Sequence, residues 1–96
     1  MTVAQQNAVR SAESYLSFTN FSRTGLIEQL EYEGYSTAQA THGVDSIVVD
    51  WNEQAAGSAR SYLEFMGFSR QGLIDQLLYE GFTLAQATYG VDQVGL

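Results

Sequence analysis

The sequence predicts an all-α protein, a tandem repeat of two three-helix, helix-turn-helix-like units packed as one body. Three observations predict it. Moved along by 47 residues, the chain lies on itself without a gap, with 24 identities in 37 positions between Ser11–Ile47 and Ser58–Val94. Apolar residues recur at helical spacing, and no stretch alternates long enough to make a strand. Proline is absent, so no residue chemically breaks a helix. A period of this length suggests stacked helical units, each too small to bury its apolar face alone. The repeats are placed at residues 1–49 and 50–96.

The first helix of each repeat is expected over roughly Val3–Phe18 and Trp51–Phe65. In the second copy Trp51, Ala55, Ala59, Tyr62 and Leu63 share one face. Asp50 starts that helix as a cap, with Glu53 three residues on in a capping-box pattern. The second helix begins near Ser22 and Ser69 and carries Leu26, Ile27, Leu30 and Leu73, Ile74, Leu77. Glu33-Gly34 and Glu80-Gly81 end it, because glycine takes the left-handed cap conformation. The third helix opens at Ser36 and Thr83, each followed three residues later by glutamine (Gln39, Gln86). Tyr35 and Phe82 precede those caps, placed to staple onto Ala40 and Ala87. Val44, Ile47, Val91 and Val94 continue the apolar stripe. The joint Ile47-Val48-Val49-Asp50 has no glycine or serine slack, so the third helix is expected to run almost directly into the next first helix.

Charge narrows the partners. The chain has 11 acids, four arginines and no lysine, for a net charge of −7. Residues 1–49 set Arg10 and Arg23 against five acids, and residues 50–96 set Arg60 and Arg70 against six. Both repeats are acidic, which repels nucleic acid and anionic lipid and favours water or a basic partner. Without cysteine there is no disulfide, thiolate metal site or thiol nucleophile. No apolar run approaches the roughly 20 residues that span a bilayer. Residues Met1 to Val9 lack the basic and apolar regions of a secretory signal.

Candidate chemistry gives way to structural readings. Helix two, a tight turn and helix three resemble the DNA-reading helix-turn-helix, with Thr37, Gln39, Thr41 and His42 on the reader helix. That helix carries no arginine or lysine to meet phosphate. His42, the single histidine, is Tyr89 in the other copy, so the position takes an aromatic without needing an imidazole. Ser22, Ser36 and Ser58 have helix-cap or helix-surface roles and no recurring histidine to activate them. Asp45, Asp50 and Glu53 do not match a calcium loop. No enzyme activity, cofactor or metal is expected. In the repeated Phe-Ser-Arg-x-Gly-Leu-Ile (Phe21–Ile27, Phe68–Ile74) the phenylalanines read as core plugs. Arg23 and Arg70, unfavourable against a helix N-terminus, call for an acidic or backbone partner. Gly25 and Gly72, costly inside a helix, are expected to mark close approach of another helix.

Differences between the copies point to a surface. Thr19, Glu31 and Thr37 become Met66, Leu78 and Leu84. Either repeat two packs against repeat one through them, or it displays an apolar patch for a partner. Glu64, Asp75 and Glu80 could rim such a patch and suit a basic helix. The partner-binding candidates are therefore Glu64, Met66, Asp75, Leu78, Glu80 and Leu84.

The run SAxxYLxFxxFSRxGLIxQLxxEG[FY][ST]xAQAxxGVD, present twice from about Ala8 to Val94 with Val-Asp-Trp-Asn-Glu-Gln-Ala (Val49–Ala55) between, resembles the Ltp family. These are host cell-surface-exposed lipoproteins of Gram-positive bacteria and their temperate phages. The resemblance implies superinfection exclusion: a lipid-anchored module outside the membrane stops DNA injection by engaging the phage tape measure protein. It also implies a tandem of helix-turn-helix-like repeats that do not read DNA. The family's exported forms begin with a signal and a lipid-accepting cysteine, and this chain carries neither, so its membrane contact would run only through an upstream anchor. The alternative function is a bacterial cell-envelope adaptor with another protein ligand.

Overall fold

Six helices and no strand make up the computed structural model, which describes all 96 residues: α1 (Val3–Phe18), α2 (Arg23–Tyr32), α3 (Thr37–Asp45), α4 (Trp51–Phe65), α5 (Arg70–Tyr79) and α6 (Leu84–Gln93). The chain divides into two compact units. The first is Met1–Thr19 with Arg23–Val49, and the second is Asn20–Ser22 with Asp50–Leu96.

Caps define the helix starts. Ser36 and Thr83 each accept the backbone N–H of the glutamine three residues on, and that glutamine's side chain bonds back to the cap. The same reciprocal pair, Thr2 with Gln5, starts α1. Each box satisfies two backbone N–H groups that have no partner inside the helix. Asp50 caps α4 through the N–H groups of Asn52 and Glu53. Glu53 does not close a box; its Oε1 accepts the Tyr89 hydroxyl at 2.6 Å.

Helices α2 and α5 end identically. Gly34 and Gly81 sit at φ 106° and 102°, a region that strains any residue with a Cβ. Tyr35 N–H reaches back to the Leu30 carbonyl and Phe82 N–H to that of Leu77, each at 3.2 Å. This six-to-one closure turns the chain sharply into α3 and α6.

The two cores are the same core written twice. Ala8, Ala12, Leu26, Ile27, Leu30, Ala40 and Val44 are buried in the first unit. Their counterparts 47 residues on, Ala55, Ala59, Leu73, Ile74, Leu77, Ala87 and Val91, are buried in the second. In each unit the first helix packs chiefly against the third. Glycine permits it: a Cβ on Gly43 would lie 2.7–2.9 Å from Ala8, and one on Gly90 2.7–3.0 Å from the backbone of Ala55 and Ala56. Gly43 and Gly90 thus mark close approach between the first and third helices. Gly72 has a different reason, since its N–H bonds the Ser69 hydroxyl and a Cβ there would meet that oxygen at 2.9 Å.

The joint departs from the expectation of near-continuous helix. Residues 46–50 separate α3 from α4 and are not helical. Ser46 closes α3 with both its N–H and its hydroxyl on the His42 carbonyl. Asp50 takes extended backbone to cap α4, and the β-branched run Ile47-Val48-Val49 favours extension between them.

Candidate partner-binding surface

Repeated polar contacts fix the frame. Arg23 forks onto Asp45 with two bonds of 2.8 Å, and Arg70 meets Asp92 at 2.6 Å. Each pair ties the start of the middle helix to the end of the third helix or, at Asp45, its last residue, which answers the question of a cation at a helix N-terminus. The fork holds the Asp45 carboxyl below, and the Arg23 guanidinium above, its ordinary value. A second recurring set joins a tyrosine, a glutamine and a glutamate. Gln29 donates to the Tyr15 hydroxyl at 3.3 Å and Gln76 to that of Tyr62 at 3.1 Å. The Tyr62 hydroxyl donates to the Glu80 carboxylate. Burial first, then this glutamate, raise Tyr62's pKa; for Tyr15 the hydrogen bond with Glu33 is the leading cause. Phe68 meets Tyr62 edge-on at 5.6 Å, packed on the core of its unit but still half-buried.

On this frame the substituted positions behave differently. In the first unit the Thr37 hydroxyl donates to the Glu31 carboxylate at 2.5 Å, so the pair satisfies itself. In the second unit the same two places hold Leu78 and Leu84, exposed by 37% and 62%. Met66, the residue that closes α4, is 60% exposed. All three are thus exposed apolar side chains rather than core residues.

The six candidate residues fall into three groups. Leu78, Glu80 and Leu84 flank the α5–α6 turn. Glu64 and Met66 lie at the end of α4, which the Tyr62–Glu80 bond ties to the same turn. Asp75 is exposed on α5, one helical turn before Leu78, and accepts the Gln71 amide at 2.8 Å. Glu80 is not the free rim acid expected of it. It is half-buried, its carboxylate is engaged by Tyr62, and its carbonyl accepts the Ser22 hydroxyl at 2.6 Å.

Sequence reasoning missed the exposed aromatics. Phe65 and Tyr79 are 86% and 89% exposed, and their counterparts Phe18 and Tyr32 are 84% and 89% exposed. The available signal was an aromatic kept in both copies at a register off the buried stripe. Thr37 is bonded to Glu31, and Gln39 is spent on the Ser36 cap. His42 is half-buried with its Nε2 enclosed. No group of three His, Asp and Glu side chains is placed to hold a metal ion.

Twin three-helix units with one repeated core define a class, the tandem helical-repeat proteins. The model of the Ltp family, described as host cell surface-exposed lipoprotein, matches residues 4–47 and again residues 50–94, and the chain belongs to this family. Its fold is similar to that of Ltp, a superinfection exclusion protein from the Streptococcus thermophilus temperate phage TP-J34. The TM-score is 0.88 and the identity 28%, over 100% of this chain and 98% of that one. No curated protein matches the sequence. No helix is long and apolar enough to cross a membrane.

Proposed function

We propose that this chain is a superinfection exclusion module that acts at the outer face of a cell by capturing a phage protein and blocking DNA entry. Membership of a surface-lipoprotein family and full-length similarity to an exclusion protein support the setting. The observation that carries the binding surface is the exchange of a self-satisfied Glu31–Thr37 pair for exposed Leu78 and Leu84. Its ligand is a helical segment with an apolar stripe and basic flanks, and the phage tape measure protein is the candidate. Leu78, Leu84 and Met66 take the stripe, Glu64 and Asp75 face the cations, and Glu80 shapes the turn. Attachment runs through a lipid anchor, and action is stoichiometric, without turnover or cofactor.

The test is a phage challenge of a susceptible host that displays the chain on its surface, scoring adsorption and DNA entry separately. The expected outcome is normal adsorption with lost entry, and entry restored when Leu78 and Leu84 become polar. Normal entry across several phages would overturn exclusion and leave the binding module with another envelope ligand.

A further inference from the structure

The second unit contains a docking event that the first unit lacks. Residues Asn20–Ser22 join α1 to α2 in sequence yet belong to the second unit. There Phe21 N–H donates to Gln54 Oε1 at 3.0 Å, and the Ser22 hydroxyl donates to the Glu80 carbonyl at 2.6 Å. Ser22 is 3% exposed and Ser58, on α4, 6%. Room for the Asn20 side chain exists because residue 57 is glycine; a Cβ there would lie 2.4–2.5 Å from it.

Moved back by 47 residues, this seat becomes Asn7, Arg10, Ser11 and the Glu33 carbonyl. In the first unit Asn7, Arg10, Ser11, Ser14 and Tyr35 line an open groove of about 440 Å³. The matching key, moved forward by 47 residues, is Gly67-Phe68-Ser69. It lies at the surface: Gly67 and Ser69 are exposed, and Ser69 Oγ accepts the Gly72 N–H with its own proton left to donate.

Bulk is exchanged across the two pairs. In the filled seat a glycine (Gly57) faces an asparagine (Asn20). In the open pair the seat residue is large (Arg10) and the key residue is Gly67. Nothing within this chain requires that glycine, since its φ is not positive and a Cβ on it would meet nothing within 4 Å.

We propose that the groove of the first unit receives the Gly67–Ser69 turn of a second copy of this chain. Phe68 N–H donates to the Asn7 amide oxygen, the Ser69 hydroxyl donates to the Glu33 carbonyl, and Arg10 lies across the space over Gly67. Key and seat are different surfaces, so the contact is heterologous and extends from copy to copy. One turn is a small interface, which makes the association weak and suits it to chains concentrated on a surface. Each copy carries −7, so salt strengthens this contact by screening. That sign is opposite to the one expected for a basic ligand at the acidic patch, and the contact needs no phage component, so the two readings fail separately.

The chain has no cysteine, which makes cross-linking a clean reader. Arg10→Cys and Gly67→Cys are purified singly, checked for helicity, mixed at high salt and oxidised. The expected result is a mixed disulfide at least tenfold faster than either homodimer. Sedimentation equilibrium of cysteine-free variants gives the second reading. Gly67→Asn alone abolishes association, and Gly67→Asn with Arg10→Gly restores it by rebuilding the Asn–Gly pairing of the filled seat. Equal rates for mixed and like disulfides, or no rescue by a folded double variant, would overturn the proposal.

Discussion

The two units carry one backbone plan and two surfaces, and the turn between the middle and third helices separates them. Both turns close through a left-handed glycine and a bond from the next residue to a buried leucine carbonyl. Beside that shared closure, the first unit sets a carboxylate on a hydroxyl and the second sets two leucines in water. The residues that recur build the fold, and the residues that change alter the surface. The exchange of a satisfied polar pair leaves Leu84 62% and Leu78 37% exposed, apolar surface that the first unit does not present at these places.

If the recurring residues are equivalent, matched core truncations cost alike. Leu30→Ala and Leu77→Ala, both fully buried, are each expected to lose about 2–5 kcal/mol by chemical denaturation. Gly43→Ala and Gly90→Ala should each lose about 1–3 kcal/mol or more, since the added methyl meets neighbouring helix atoms with little freedom to move. A large loss in one copy and a negligible one in the other would break the equivalence on which the comparison stands.

Much of this architecture was legible in the sequence. Ser36, Thr83 and their glutamines announce their helices because a capping box is a local hydrogen-bond pattern at fixed spacing. Thr2 with Gln5 carries the same signature and was readable by the same rule. Gly43 and Gly90 were not, because closeness between helices is set by crossing geometry that no local spacing encodes. Gly72 misled for the complementary reason: its neighbour is its own cap, Ser69. The joint misled because missing glycine and serine was read as continuity, while Ser46 and Asp50 were already terminating and starting helices. At the candidate surface, Met66, Leu78 and Leu84 were found by comparing copies. Glu80's engagement with Tyr62 and Ser22 is tertiary and left no trace in composition.

Exchanging the surfaces tests what the difference is for. Leu78→Glu with Leu84→Thr gives the second unit the first unit's pair. It should weaken capture of the phage ligand by tenfold or more, about 1.4 kcal/mol, while the protein stays folded at a cost of about 1–2 kcal/mol, because Leu84 is 62% exposed and Leu78, 37% exposed, gives up part of its packing. Calorimetric titration and a denaturation curve on the same variant separate the outcomes. Unchanged affinity in a folded protein would show that the leucines are not the contact. Raising salt should weaken the same binding through its acidic neighbours, and indifference to salt would remove Glu64 and Asp75 from the surface.

The ion pairs predict a smaller effect. Arg23 and Arg70 are each nearly half exposed, so Arg→Ala at either is worth at most about 1 kcal/mol. Arg23 makes two bonds where Arg70 makes one, so Arg23→Lys should cost more than Arg70→Lys, lysine having no fork. Asp45 is held below its ordinary value of 3.8. Its contribution is present above that value and is lost as pH falls through the lower folded value. Acid denaturation of Arg23→Ala should therefore show a shallower loss of stability below about pH 4 than the parent chain. An identical acid limb would show that the fork does not persist in solution.

The smallest effect separates the units most finely. Tyr15 and Tyr62 occupy equivalent places, and both phenols are raised above 10.0, but by different leading causes. Raised phenols stabilise the fold below their unfolded value and lose that contribution as pH climbs through the folded one, so both act on the alkaline limb. For Tyr15 the leading cause is the hydrogen bond with Glu33, so Glu33→Gln should bring its titration down towards 10.0. For Tyr62 burial leads and Glu80 follows, so Glu80→Gln should leave much of the elevation in place. Phenolate absorbance, with Tyr→Phe variants to assign each step, reads both. Equal falls in the two units would mean that the glutamate dominates in each and that the second unit gains nothing from its deeper tyrosine. A larger fall at Tyr15 would place the difference between the two tyrosines in burial.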